Sequence, residues 1–292
     1  MKTCFFIFLV VKSPAIDKMR GQLSLYILRF ITGSFLLLLI LAKPAYCEYN
    51  LATGEEELIF ISSERETKMG ESISKQVAKK MKLDKNYSNQ EKVAIIGKKL
   101  ARVSDRKDII YHFSVIDDDM FNAFALPGGY IYVFKGLLDE LESDDELAAI
   151  LAHEIGHVCA KHSVKRLQNS LGYEILRLLV VRGASDGYSQ RKANEAINQL
   201  MLTYTRRDEF QADMLAIRYL KRAGYKPEAM VSVLDRLIEL QMDGPKLPKR
   251  YWHTHPYLGA RKANASQEIT GQIEFDDYIN VTSEEGYVRP IY

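Results

Sequence analysis

The sequence predicts an α+β fold, mainly helical, with a small antiparallel sheet beside one central helix. Apolar residues recur at three- and four-residue steps in several runs between residues 63 and 237, the period of a helix with one buried face. Three runs open on Ser-x-x-Glu, at Ser63–Glu66, Ser88–Glu91 and Ser143–Glu146; in this box the two side chains satisfy amides that a helix start leaves free. Two shorter runs read as strands. Ile109–Ile116 alternates apolar with polar residues, and Tyr130–Phe134 follows the turn signal Pro127-Gly128-Gly129.

In chain order, residues 1–47 read as targeting sequence. Phe30–Ala42 is almost wholly apolar, Arg20 and Arg29 precede it, and Ala45-Tyr46-Cys47 offers small residues for cleavage before Glu48. A cleaved signal peptide is the favoured reading and an uncleaved anchor the alternative, since the apolar run is short for a bilayer span. Met19 offers a second start, and bulky Tyr46 weighs against a lipoprotein through Cys47. Residues 48–270 then form one domain, opening on an extended lead-in over 48–62. A helix runs from Ser63 to about Met81, and a second follows Ser88 with Val93, Ile96, Leu100 and Val103 on one side. Asp117-Asp118-Asp119 reads as a turn.

The Ser143 box opens the central helix, with Leu147, Ile150, Leu151, Glu154 and Val158 in step. Leu171–Val181 reads as a core helix, with an interfacial helix or a cleft wall as alternatives. Arg182–Gln190, rich in Gly and Ser, reads as a spacer. A long helix containing residues 204–213 ends at Ala223-Gly224, a natural C-cap. Pro227 opens another, with Met230, Val233, Leu234 and Leu237 inward. Gly244–Pro248 is a loop. Residues 271–292 form a tail in which Ile273–Val281 offers a further strand.

The central helix carries His153-Glu154-x-x-His157. Histidines four apart share one helical face, so both imidazoles reach one ion, and Glu154 beside them serves as a base. A catalytic zinc takes three protein ligands and keeps one position open. Glu209 and Asp213, also four apart, supply the missing group: one carboxylate ligates, and the other accepts a hydrogen bond from a ligating imidazole. The alternative is a solvated acidic pair balancing Arg206 and Arg207.

Four segments together carry a family resemblance. They are Asn122-Ala-Phe-Ala-Leu-Pro-Gly-Gly-Tyr-Ile-Tyr-Val133 with Gly136-Leu-Leu138, His153-Glu-Ile-Gly-His157, Glu209-Phe-Gln-Ala-Asp213, and His255-Pro256 with Arg261. In order and spacing the chain resembles, from about residue 60 to about residue 268, the HExxH metallopeptidases that include the CAAX prenyl endopeptidases, the HtpX heat-shock proteases, and the BepA-type and Oma-type proteases. The resemblance implies a zincin, gluzincin-like domain with one Zn2+ per chain. Its ligands would be His153, His157 and Glu209, with Glu154 the catalytic base and Asp213 the acid behind the ligands. It also places a His-Pro pair downstream. His255 is therefore the candidate donor to the reaction's oxyanion, or the group that fills the open zinc position in a latent form; His253 lacks the following proline. Zinc peptidases commonly hold an extended substrate on an edge strand. The resemblance gives that task to the strand after Gly129, with Asn122, Ala123, Phe124, Gly129, Tyr130 and Ile131 as candidate substrate-binding residues. A core hairpin without substrate contact is the alternative.

Composition bounds the rest. With 292 residues, 47% of them hydrophobic, there is ample material for one core. The formal charge is +2 and no basic stripe is present, which argues against nucleic acid as a partner. Three cysteines build no disulfide framework, and Cys159 reads as a small buried side chain. No stretch after the leader is long enough to cross a bilayer, unlike the integral-membrane branches of the family, and no helical-repeat extension is read after residue 270. The expectation is an exported zinc endopeptidase of a bacterial periplasm or envelope, acting on unfolded or misassembled polypeptides, with peripheral membrane contact through 171–181 as an option. A zinc-stabilised chaperone-like binding module and a narrow processing protease are the alternatives. Oligomeric state is not read from the sequence.

Overall fold

The computed structural model describes residues 47–182, 186–242 and 254–271. The leader, Met19, the 244–248 loop, His253 and the 273–281 segment lie outside the described residues. The lead-in is a hairpin rather than simply extended, with β1 (Cys47–Asn50) antiparallel to β2 (Glu55–Leu58). Asn50 Nδ2 ties it to Glu57 Oε2 and to the Cys159 carbonyl, both at 3.1 Å.

Helix α1 (Ser63–Lys80) starts one residue before the expected box, because Ser62 accepts from the Arg65 amide. Helix α2 (Tyr87–Ala101) is capped by Asn86, which accepts from the Ser88 amide. Asn caps at least as well as Ser and comes two residues earlier, so the helix begins there.

The second sheet has three strands, β3 (His112–Ile116), β4 (Ala123–Leu126) and β5 (Tyr130–Phe134), in the order β3-β5-β4. It is mixed, with β4 antiparallel to β5 and β3 parallel to it. The turn between β4 and β5 needs glycine, since Gly128 and Gly129 have φ of 75° and 86°. Alternation along these strands divides the core. Val115, Ala123, Ala125, Ile131 and Val133 face one apolar cluster, which contains most of the central helix; Ile116, Phe124, Leu126, Tyr132 and Phe134 face the other, with Met69, Ile73 and Leu167.

After α3 (Lys135–Glu140), the central helix α4 (Asp144–Cys159) is buried along nearly its whole length. Cys159 is fully buried, its Sγ 3.4 Å from the Tyr111 hydroxyl. Helix α5 (His162–Arg182) is interrupted at Gly172 (φ 73°). Leu171, Leu176 and Leu179 pack into the second cluster, as a core helix requires. The expected spacer is shorter than its composition implied: α6 (Gly187–Leu200) starts at Gly187, because Asp186 accepts from the amides of Tyr188 and Ser189.

Helix α7 (Arg206–Ala223) has a full capping box between Thr205 and Asp208 and ends on left-handed Gly224. It packs closely on α4; a Cβ at Gly156 would lie 2.8 Å from the Ala212 carbonyl oxygen. Helices α8 (Ala229–Met242) and α9 (Leu258–Thr270) complete the layer, with Met230, Val233, Leu234 and Leu237 buried. Among the described residues no helix is long and apolar enough to cross a membrane.

Candidate metal centre

Helix α4 is started by Ser143, which accepts from the Glu146 amide at 3.2 Å, and Glu146 returns to the Glu142 amide at 2.7 Å. Three turns on, His153 and His157 project together, their Nε2 atoms 3.0 Å apart. Glu209, in the first turns of α7, brings Oε2 to 3.5 Å from His153 Nε2 and Oε1 to 3.6 Å from His157 Nε2. His255 arrives from the segment before α9, with Nδ1 3.2 Å from His153 Nε2 and 3.1 Å from Glu209 Oε1. All four side chains are buried, and their candidate ligand atoms lie within 4.8 Å of one another.

These residues fit a zinc ion. Ligand bonds of about 2.0–2.1 Å at tetrahedral angles separate ligand atoms by about 3.4 Å; the pairs named above lie 3.0 to 3.6 Å apart and the whole set within 4.8 Å. Both oxygens of Glu154 are buried without a hydrogen-bond partner. Such atoms are costly unless something absent from the protein itself, such as a reacting water, meets them.

A second set of groups orients the first. His153 Nδ1 lies 2.8 Å from Asp213 Oδ1, so its proton can sit there and leave Nε2 bare. Arg261, fully buried, donates Nε to Asp213 Oδ2 (2.8 Å) and Nη2 to Oδ1 (2.7 Å). Its Nη1 donates to the His255 carbonyl (3.3 Å) and lies 2.8 Å from Glu209 Oε2. Behind His157, Nδ1 meets His162 Nδ1 at 2.8 Å, and His162 Nε2 meets Gln211 Oε1 at 2.9 Å. The Tyr204 ring stacks on His157 (centroids 4.0 Å apart), and the Arg166 guanidinium covers the ring 3.8 Å from its centroid.

Charge follows from these contacts. Burial raises the Glu209 carboxyl, but His255 and Arg261 outweigh it and hold it well below its usual value. Asp213 is likewise depressed by Arg261 against its burial. Burial raises Glu154, with His255 and His153 opposing. Burial and Arg261 press His153 down, yet hydrogen bonds to Asp213 and Glu209 prevail and lift it to about 9. Burial and His153 drive His157 well below 6.5.

The sheet requires a correction. Tyr130 and Ile131 were expected on the edge strand, but β5 is central and hydrogen-bonded on both sides, to β3 and to β4. Neither offers a free edge to a substrate. Gly129 sits in the preceding turn against Ile110 and Tyr111. The edges are β3 and β4; on β3 the Val115 amide and carbonyl are already bonded to Gln90 and Asp84, and β4 is the edge whose Asn122 meets Thr254 beside His255. The Asn122 carbonyl accepts from the Phe134 amide, so by alternation Ala123 and Ala125 turn their main chain outward. The Ala125 carbonyl accepts from Ser163 Oγ at 2.9 Å, and the Ala123 amide donates to Asn122 Oδ1 at 2.9 Å. Asn122 Oδ1 also accepts from Thr254 Oγ1 at 3.0 Å, next to His255. Asn122, Ala123 and Phe124 therefore lie on or beside the edge, and Gly129, Tyr130 and Ile131 do not.

The roles of His162, Gln211, Arg166 and Ser163 were not legible in the motifs. His162 follows His157 by five residues, across a helix break at Lys161 (φ 53°), so no helical spacing links them.

Comparison with known proteins places the chain in a family. The profile of peptidase family M48 matches residues 87–269. The mitochondrial metalloendopeptidase OMA1 of Arabidopsis thaliana is 32% identical over 161 residues, 53% of this chain and 31% of the relative. The beta-barrel assembly-enhancing protease of Escherichia coli K12 is 26% identical over 216 residues, 70% of this chain and 44% of the relative. OMA1 of Saccharomyces cerevisiae is 29% identical over 182 residues, 59% of this chain and 50% of the relative. The chain thus spans half or less of the length of these relatives.

Proposed function

The chain belongs to peptidase family M48, and on that footing we propose that it is a zinc-dependent endopeptidase. His153, His157 and Glu209 would hold the ion and Glu154 would act as general base. The observation that carries this reading is the buried Glu154 carboxylate, without a hydrogen bond, beside four converging ligand atoms. A bound zinc ion supplies an acidified water and an electrophile for the scissile carbonyl. Glu154 would take a proton from the attacking water and give it to the departing amine; its raised pKa suits a group that must both accept and give. Asp213 and Arg261 hold His153 and Glu209 in place while this happens. An extended substrate would lie along the outer edge of β4, beside Asn122, Ala123 and Phe124, once the side chains of Asn122 and Ser163 release the Ala123 amide and the Ala125 carbonyl to its backbone.

His255 Nδ1 stands among the ligand atoms, and its Nε2 is 3.6 Å from Glu154 Oε1. This favours a latent arrangement in which His255 takes the position a substrate water needs, over the alternative of a donor to the oxyanion. The bacterial relatives are named as beta-barrel assembly-enhancing proteases, which supports β-barrel polypeptides in assembly as the substrate class. The apolar run at residues 30–42 supports export.

The test is cleavage of an unfolded protein by the full chain with zinc, beside Glu154→Gln and His255→Ala. Glu154→Gln should keep zinc and lose turnover by about 10²–10⁴-fold. His255→Ala should keep zinc and gain turnover if His255 imposes latency, or lose turnover if it is the donor. Parent-like turnover in Glu154→Gln would overturn the base assignment, and in His255→Ala would remove both roles.

A further inference from the structure

His157 is backed by a group that no motif assigned. His162 begins α5 immediately after the left-handed Lys161, and its ring is buried against His157. Two ring nitrogens facing each other at 2.8 Å share a single hydrogen, so only two assignments exist. If His162 Nδ1 carries it, His157 Nδ1 is bare and the His157 proton lies on Nε2, pointing at His153 Nε2 3.0 Å away. That tautomer cannot ligate. If His157 Nδ1 carries it, His157 Nε2 presents its lone pair to the cluster. The His162 proton then lies on Nε2, where Gln211 Oε1 accepts it at 2.9 Å.

We propose that His162 is a positioning residue: with Gln211 it forms a hydrogen-bonded chain that holds His157 in the tautomer able to bind metal. This rests on the reading of His157 as a ligand. It gives His157 what Asp213 gives His153, an acceptor from outside its own helix behind the ligating ring. Gln211 lies between Glu209 and Asp213 on α7, so one helix supplies the candidate ligand, the support of one imidazole and the far end of the support of the other.

His162 and Gln211 also border a polar cavity of about 690 Å³. An alanine at 162 would admit water from it as a substitute acceptor, so leucine is the informative replacement. The experiment compares the full chain with His162→Leu, His162→Asn and His162→Gln. Zinc affinity is read by chelator competition and the fold by melting of the metal-free forms. His162→Leu should bind zinc about 10–100-fold more weakly while melting with the parent. His162→Asn, whose carbonyl oxygen falls where Nδ1 lies, should recover most of the affinity; His162→Gln, which reaches the Nε2 position, should not. Parent-like affinity in His162→Leu, or equal losses in the Asn and Gln variants, would overturn the proposal. Long-range ¹H–¹⁵N spectra of the parent's zinc form decide independently of any variant's folding. They should show His162 protonated at Nε2, and a proton on Nδ1 would refute the chain. A parent that binds no zinc overturns the metal-centre reading, and this inference with it.

Discussion

Gly156→Ala tests whether the spacing of α4 and α7 sets the metal centre. A Cβ at 156 would lie 2.8 Å from the Ala212 oxygen, 3.1 Å from its Cα and 3.3 Å from its carbonyl carbon. All three are backbone atoms, so no rotamer change relieves the contact. The closest falls about 0.6 Å short of the 3.4 Å at which ordinary contact begins. Ala212 adjoins Asp213 and follows Glu209 by three residues, so separating the helices carries both carboxylates away from α4. The 2.8 Å Asp213–His153 bond would stretch toward the limit of hydrogen bonding. Overpacking costs about 1–3 kcal/mol, and replacing a mid-helix glycine by alanine returns about 1 kcal/mol. The expected net loss of stability is therefore about 0–2 kcal/mol. Zinc affinity should fall more visibly, by about 10–100-fold, as for loss of a ligand's outer support. Chelator competition and urea melting of the metal-free chain measure the two effects separately. Gly187→Ala is the control, since its Cβ would meet only Arg191 Nη1 at 3.8 Å. Parent-like zinc affinity in Gly156→Ala would refute the role assigned to helix spacing.

Two further outcomes are expected. Arg261→Met leaves the buried Asp213 and Glu209 uncompensated and should cost about 3–5 kcal/mol in urea melts; Arg261→Lys should recover little, because one ammonium cannot reproduce the fork that serves both carboxylates, and a parent-like melt of the lysine variant would contradict this. Burial pushes the Asp108 carboxyl up, but hydrogen bonds from Arg106 and Ser63 outweigh it and hold it at about 2, below its ordinary 3.8. A depressed carboxyl stabilises the fold above its unfolded value and loses that contribution as it is protonated, so this part of the stability should disappear as pH falls from about 4 to 2. Melts of Asp108→Asn should depend less on pH over that interval than those of the parent, and equal slopes would count against the assignment.

What was legible in the sequence was mostly local. Ser143 and Gly224 mark helix ends through side-chain or backbone chemistry within four residues, and the structure has those ends; the Thr205 cap falls inside the 204–213 run read as helix, so that start was missed. His153 and His157 share a face because helix geometry requires it, and Glu209 and Asp213 do so for the same reason. What pattern cannot convey is pairing across the chain. The strand after Gly129 looks like an edge strand in isolation, yet β3 adds to it in parallel from the far side, and nothing within the 130–134 run announces that neighbour. Ser88 looks like a cap, yet its own amide is the one that Asn86, two residues earlier, accepts from, so Ser88 lies inside the helix. His162 lies one residue past a left-handed break, where a spacing rule stops applying, and only the return of α7 places Gln211 against it.

Arg261 also bears on when the protein can become competent. It joins Asp213, 48 residues earlier, to Glu209 and to the carbonyl of His255. A chain emerging in order from its N-terminus has α4 long before it has this guanidinium. Until residue 261 arrives, Glu209 and Asp213 face a buried site without their common counter-charge, and closing so long a loop is a late, entropically costly event. A chain that stops short of residue 261 lacks this counter-charge, so the centre cannot be completed before that residue is made. For a protein whose proposed chemistry cuts unfolded polypeptide, this order of assembly keeps newly made copies from cleaving one another while they are still unfolded themselves.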